Sequence, residues 1–326
     1  MRTAKLCARV LLTVAMSAGV TTVFAQAYPT KSVRMLVGFA PAGATDIVAR
    51  LVSPGMTEAL GQSVIVDNRP GASSLIAGEI VAKAPPDGYT IFMVTQTLIN
   101  AGIIEGRKFP DLARDFDAVG LAASTPLVLV VNNALPVKTP KDLIALARAK
   151  PGALDFGSGG VGATPHMSGE LFAKLAKLKI VHVPYKGEGP ALVDTIAGHL
   201  PMMFSNITAA MPHVQAGKLR AIAVTSLKPV PSVPGVPSLA ESGLPGYEVV
   251  GWFGIVAPGK TAEPVVKQLN DALRKVLARS DLKEKFASQA LQAGELTPQQ
   301  YGAFIRSEVD KWGKLIRQIG LVKKKS

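Results

Sequence analysis

The chain holds a single cysteine, Cys7, among its 326 residues. One thiol closes no disulfide, so a small stapled scaffold is excluded and stability has to come from a large apolar core. Aromatic residues are scarce, 6% of the chain, and the basic residues are not interleaved with them. A stacking surface for nucleic acid is therefore not expected. Acidic residues are outnumbered, 23 Asp and Glu against 36 Lys and Arg, for a net charge of +13. A basic surface attracts anionic solutes and an anionic membrane face. After the first residues no apolar run is long enough to span a bilayer. "PLVLVVNNALPV" at 126–137 is short, broken by Asn and Pro, and reads as a strand. The histidines, His166, His182, His199 and His213, stand at no metal-ligand spacing, and neither H-E-x-x-H nor G-x-S-x-G occurs. No metal and no cofactor is called for.

What is present begins with a targeting segment. Arg2, Lys5 and Arg9 precede the short apolar run "VLLTVAMSAGV", and "AQA" at 25–27 is a small-x-small cleavage site. Residues 1–27 read as a secretory signal peptide, cut after Ala25 or Ala27, which places the mature chain in the periplasm. Cys7 lies ahead of the apolar run, so it is not a lipidation site.

The remainder alternates strand-like and helix-like stretches. "VRMLVGF", "SVIVDN", "YTIFMV", "LVLVV", "ALDFGS", "KIVHVPY", "LPMMFSN" and "LRAIAVTS" read as strands. Between them lie helical patterns with start signals, such as Thr139 with Pro140, Thr164 with Pro165, and the T-x-x-Q capping box of Thr297 and Gln300. Alternating units predict an α/β fold with mostly parallel sheets. Loop-like stretches around Ser124–Pro126 and Ser226–Pro237 suggest two lobes, residues 28–125 with 228–326 and residues 126–227, and a ligand cleft between them.

Three strand–loop–helix junctions share one chemistry: "VGFAPAGATDIV", "DFGSGGVGATPHM" and "VPYKGEGPALV". Small residues let a ligand approach the unpaired amides and positive dipole end of a helix N-terminus, which makes a backbone anion site. In the second, Gly157, Gly159 and Gly162 match G-x-G-x-x-G. A dinucleotide site also needs an acid at the end of the next strand, about 20 residues on. Tyr185 and Lys186 stand there instead, with Glu188 beyond in a glycine-rich loop, which weighs against the dinucleotide reading. A Ser158–His166 pair is conceivable for a hydrolase, but no nucleophile, base and orienting group assemble in the sequence.

At these loops the chain resembles the substrate-binding proteins of tripartite tricarboxylate transporters, the Bug receptors. Matching stretches include "YPTKSVRMLVGFAPAGATDIVARLV", "LGQSVIVDNRPGASSLIAGEIVAKAPPDGYTI", "GSGGVGATPHMSGELF", "IVHVPYKGEGPALVDTIAGHLPMMFSN" and "ESGLPGYEVVGWFGIVAPG", in order over nearly the whole mature chain. The resemblance implies a two-lobed, type II-like periplasmic-binding-protein fold that closes on a small carboxylate. It implies delivery to integral-membrane permease subunits, with a sensor role as the alternative, by a monomeric, non-enzymatic receptor. Carried onto this chain, the binding residues are Phe39, Pro41, Ala42, Gly43, Thr45 and Asp46 in the first loop, and Ser158, Gly159, Gly162, Thr164 and His166 in the second. Pro184 and Tyr185 follow in the third, with Asn206 across the crevice and Gln96, Thr97 and Asn100 on the rim. Structural alternatives stand beside several: a turn for Gly43, a helix cap for Asp46, core packing for Phe39 and Tyr185. Trp252 and Phe253 read as core or hinge. Where family members often carry an Asp before the equivalent of Asn206, this chain has Ser205. The missing acid weighs against an amino-acid ligand.

Overall fold

The computed structural model describes residues 28–106 and 110–323. The expected signal peptide at 1–27 lies outside the described residues. The first lobe opens with β1 (Val33–Val37), α1 (Ala44–Leu60), β2 (Val64–Asn68), α2 (Leu75–Ala82), β3 (Thr90–Thr95) and α3 (Gln96–Ile104). A long strand, β4 (Phe116–Asn132), leads into the second lobe. There follow α4 (Pro140–Ala149), β5 (Asp155–Ser158), α5 (Thr164–Ala176), β6 (Val181–Pro184), α6 (Glu188–Ala197), β7 (Met202–Asn206), α7 (Ile207–Gln215) and β8 (Leu219–Val224). The chain returns through β9 (Val250–Pro258) to α8 (Glu263–Leu277), α9 (Ser280–Ser288), β10 (Gln292–Ala293) and α10 (Pro298–Gln318).

The α/β alternation predicted from the sequence holds. Strand order is β2-β1-β3-β9-β4-β7-β5-β6, with β8 and β10 also on β4. The outer pairs of each lobe, β1 with β2 and β3, and β5 with β6 and β7, are parallel. The crossing strands pair antiparallel: β4 with β9, β7 and β8, and β9 with β3. In the parallel pairs each helix crosses over and leaves the strand ends, and so the helix starts, on one side.

β4 corrects one expectation. Ser124–Pro126 is not a loop: Ser124, Thr125 and Pro126 pair with Trp252, Gly251 and Val250. One strand therefore serves both lobes, bent by register shifts at Ala118–Gly120 and Leu121–Ala123. The expected division at 227/228 also separates residues from the cluster they pack in. Leu239, Leu244, Tyr247 and Val249 join the second lobe's core with Phe156, Phe172 and Phe204. Without a disulfide, such clusters are what stabilise the fold, each fully buried Leu, Phe or Met contributing about 1.5–3 kcal/mol.

α10 starts at the expected capping box. Thr297 Oγ1 accepts the Gln300 N–H, and Gln300 Oε1 accepts the Thr297 N–H. Its first turns pack Tyr301 and Ile305 on the first lobe, and its later turns pack Trp312 and Ile316 on the second. Between them Glu308, 7% exposed, accepts the indole N–H of Trp252 at 2.8 Å and of Trp312 at 2.9 Å. A carboxylate thus ties β9 to α10 where the lobes meet. Removing it would leave two buried indole donors unsatisfied, at roughly 1–3 kcal/mol each. Glu308→Ala is expected to destabilise the protein by about 3 kcal/mol, measured from the urea midpoint. Glu308→Gln, which keeps one oxygen for both indoles, should lose less than half of that. Equal losses in the two variants would show that the indole bonds are not what Glu308 contributes.

Candidate functional site

Between the lobes lies a cleft enclosing about 570 Å³, open in part to solvent. Its wall is made where strands end and helices begin. The first lobe contributes Phe39, Pro41, Gly43, Ala44 and Thr45 from the β1–α1 junction, and Thr95 and Thr97 from the start of α3. The second contributes Gly159, Ala163, Thr164 and Pro165 from the β5–α5 junction, and Gly187, Glu188 and Gly189 from the start of α6. Asn206 before α7, with Gly251, Trp252 and Phe253 on β9, complete it.

Four of the five helix starts at this wall share a property; the fifth, α3, is capped by Thr95 Oγ1, which accepts the Thr97 N–H. The residues before α1, α5, α6 and α7, namely Gly43, Ala163, Gly187 and Asn206, make no side-chain cap. By contrast α4 and α10, which begin on exposed surface, are closed by capping boxes. The expected cap at Thr164 is replaced: the helix includes Thr164, with Ala163 before it. Four helix starts therefore present first-turn amides that no side-chain cap claims, each with its positive dipole end, toward one space. Among the described residues the wall contains no lysine, arginine or histidine. An anion held here would be held by dipoles and hydroxyls.

Several expected site residues stand behind the wall and hold the loops. Ala42 adopts φ 65, a conformation unfavourable for a residue with a Cβ. Its N–H is accepted by Asp46 Oδ2 at 3.1 Å. Asp46 also accepts from Arg50 Nε at 3.0 Å and Asn68 Nδ2 at 3.0 Å. Burial pushes the Asp46 carboxyl upward, and the bonds from Arg50, Ala42 and Asn68 outweigh it and hold the group below the usual carboxylate range. Asp46 is thus a brace for the first loop, not a wall residue.

The second loop is braced by histidines. Ser158 is fully buried and pairs with His182 Nε2 at 2.6 Å, while its Oγ also accepts the Gly160 N–H at 3.1 Å. The pairing considered from the sequence, Ser158 with His166, is replaced by Ser158 with His182. His166 Nδ1 accepts the Gly162 N–H at 3.0 Å, so the neutral ring carries its proton on Nε2, 3.4 Å from Glu170 Oε1. The two imidazoles stack with centroids 3.8 Å apart. Burial first, and the neighbouring His166 second, lower the His182 pKa from 6.5 to about 3.

The lobes touch across the mouth of the cleft. Asn100 Nδ2 on α3 donates to Gly162 O at 2.9 Å. A Cβ on Gly162 would fall 2.8 Å from the Ala101 nitrogen, so only glycine allows this approach, and its φ of 80 also favours glycine. Gln96, on the same helix, is fully buried with both amide atoms unpartnered, as is Asn100 Oδ1. Pro184, Tyr185 and Lys186 line an adjoining compartment with Phe39, Gly160 and Ser73, and the Tyr185 hydroxyl donates to Asp194 at 2.6 Å.

Sequence reasoning missed Thr95, Gly187 and above all Glu188 as wall residues. It also read Trp252 and Phe253 as packing, and they both pack and line the cleft. Glu188 overturns the reading that an acid is missing beside Asn206. Its carboxyl accepts from Ser205 Oγ at 2.7 Å, Asn206 N at 2.6 Å and Asn206 Nδ2 at 2.8 Å. The acid arrives from α6 instead of from position 205. Burial raises the Glu188 carboxyl above the usual range, opposed by these bonds. The available signal was an acid between two glycines at a helix start, where an anionic side chain is favoured.

Among the described residues no group of three or more His, Cys, Asp or Glu could hold a metal ion, and no helix is long and apolar enough to cross a membrane. Two α/β lobes on a shared crossing strand, closing helix starts around a cleft, define the class of solute-binding proteins. The family model for tripartite tricarboxylate transporter family receptors (TctC) matches residues 48–321, and the chain belongs to that family. It is 33% identical to Protein BugT of Bordetella pertussis over 91% of this chain and 92% of that one. It is similar to the R. palustris Rpa4515 structure with adipate, at 35% identity and a TM-score of 0.87, covering 90% of this chain and 98% of that one. It is also similar to MatC (Rpa3494) of Rhodopseudomonas palustris with bound malate, at 30% identity and 0.84, covering 89% and 100%.

The His182 environment predicts an acid response. In the unfolded chain the imidazole titrates near 6.5, and in the folded one near 3. Between those values the unfolded state binds the proton, so stability is fully present above about pH 6.5 and is lost as pH falls toward 3. The full loss is on the order of 5 kcal/mol. His182→Gln, which retains a hydrogen-bonding group for Ser158, should flatten the decline in urea midpoint between pH 6.5 and 4. An unchanged slope would assign acid sensitivity to other groups.

Proposed function

We propose that this receptor works in the periplasm, capturing a small carboxylate between its lobes and delivering it to the membrane permease subunits of a tripartite tricarboxylate transporter. The observation that carries the reading is the convergence of four helix starts without side-chain caps on a cleft whose wall, among the described residues, has no cation. Such a site suits a compact anion that accepts several hydrogen bonds and leaves again, because dipoles hold it without the grip of an ion pair. The carboxylates named with Rpa4515 and MatC are of this kind. Lobe closure would bury the anion and complete contacts from both sides. Export would follow from the segment at 1–27, and the absence of a cofactor from a site that only binds. Ser158 supports binding over hydrolysis, since its hydroxyl is engaged with loop backbone and His182 and is fully buried.

The two glycines that most directly test the site differ in their surroundings. Gly43 has φ −83, which any residue adopts, and a Cβ there would meet only Ala40 O at 3.7 Å. A Cβ on Gly159 would press on the Gly187 and Glu188 backbone at 3.1–3.2 Å. Gly43→Val is the cleaner variant, because it fills the cleft without straining the fold. In a thermal-shift screen of the refolded mature chain, a di- or tricarboxylate at about 100 times its dissociation constant should add roughly 2.7 kcal/mol, raising the midpoint by a few degrees. Gly43→Val should keep its unliganded midpoint within about 2 °C and lose the shift. A shift that survives in Gly43→Val would place the carboxylate elsewhere.

A further inference from the structure

Among the described residues, Glu188 is the only ionisable side chain in the wall of the cleft. The wall otherwise offers amides, threonine hydroxyls and apolar surface, all suited to an anion. A buried acid in that company needs a reason. Its three partners, Ser205 Oγ–H, Asn206 N–H and Asn206 Nδ2–H, are all donors. An ionised carboxyl accepts at about four positions. Oε1 is used twice and Oε2 once, so Oε2 keeps one acceptor position. Glu188 is also the first residue of α6, where the helix dipole favours negative charge. Its residual exposure is 9%, and it shares the wall with Asn206, Gly187 and Gly189.

We infer that Glu188 is a specificity-determining residue: its free carboxylate position selects small carboxylates that also carry a hydrogen-bond donor, an ammonium above all and a hydroxyl next. The inference rests on the receptor reading above and deepens it. A ligand with only carboxylates would leave the Glu188 charge facing the cleft without a partner, in a space that closure dries. A donor group on the ligand removes that penalty, and a site that holds an unpaired acceptor discriminates strongly against the analogue lacking the donor. Ser205 fits the same logic. An Asp at 205 would set a second carboxylate within hydrogen-bond distance of Glu188, whereas the serine hydroxyl donates to it.

The test is calorimetric titration of the full mature chain, refolded to strip carried-over ligand. The probes are matched pairs: succinate, malate and aspartate, then glutarate and glutamate. Aspartate and glutamate are expected to bind at least ten-fold more tightly than succinate and glutarate, with malate between. In Glu188→Gln the ratio should fall to about one. Succinate and glutarate binding as tightly as the amino acids in the unaltered protein would overturn the inference, and would leave the carboxylate receptor standing. An undiminished ratio in Glu188→Gln would overturn it as well. Should Glu188→Gln not fold, the ratio in the unaltered protein decides. Binding by none of the five probes would instead count against the receptor reading and take the inference with it.

Discussion

The site depends on one geometric constraint: helix starts from two lobes must reach the same small volume with no side chain of their own in the way. A helix N-terminus attracts an anion only while its amides are free. Gly43, Ala163 and Gly187 leave them free by having little or no side chain, and Asn206 does so by pointing its amide group at Glu188. The parallel strand pairs supply the direction, since each crossover delivers its helix start to the same edge. The antiparallel pairing of β9 on β4 supplies the registration, because β4 is continuous through both lobes. Loops that face each other across the cleft are therefore set by strands, and the loops themselves need only short braces.

Those braces account for residues that look catalytic. Asp46 with Arg50, and Ser158 with His182 and His166, are arrangements of acid, base and hydroxyl familiar from active sites. Each is instead turned toward a loop backbone: Asp46 to the Ala42 N–H, His166 to the Gly162 N–H, Ser158 to Gly160. The loops need this support. Ala42 sits at positive φ, as do Gly160 and Gly162, so the chain there is held in conformations that ordinary residues disfavour. Polar side chains that fix a strained loop are as buried and as tightly bonded as catalytic ones. What separates the two is whether a polar atom reaches the cleft.

The legibility of the sequence followed the range of the interactions. Local signals were read correctly where local physics decides, as at Thr139 with Pro140 and Thr297 with Gln300. The strand–loop–helix junctions that line the cleft were legible for the same reason, since small residues between a strand and a helix mark a turn into a helix start. Two features escaped because distant partners make them. β4 was split at Ser124–Pro126, where the proline argued for a loop, and only pairing with Gly251 and Val250 keeps the chain extended. Glu188 was passed over because its partners, Ser205 and Asn206, come from a different strand. A substitution at one position and its complement at another are visible together only in the fold.

The same layout distinguishes the stiff and soft directions of the molecule. At the back of the cleft the lobes share β4 and α10, and the Glu308 carboxylate locks Trp252 to Trp312. Trp252 is also a wall residue, so the lock reaches the binding space. At the mouth, among the described residues, the lobes meet through the side-chain hydrogen bond from Asn100 to Gly162 and through the close approach of Gly162 to the Ala101 backbone. A single hydrogen bond contributes only about 1 kcal/mol, while the shared strand would have to break its ladders to move. The layout therefore leaves the mouth held by fewer interactions than the back, where the tryptophan pair sits. A ligand that bonds to both Gly43's loop and the start of α6 adds its contacts where the protein's own are fewest. That is how a weakly held mouth becomes a response to a small solute.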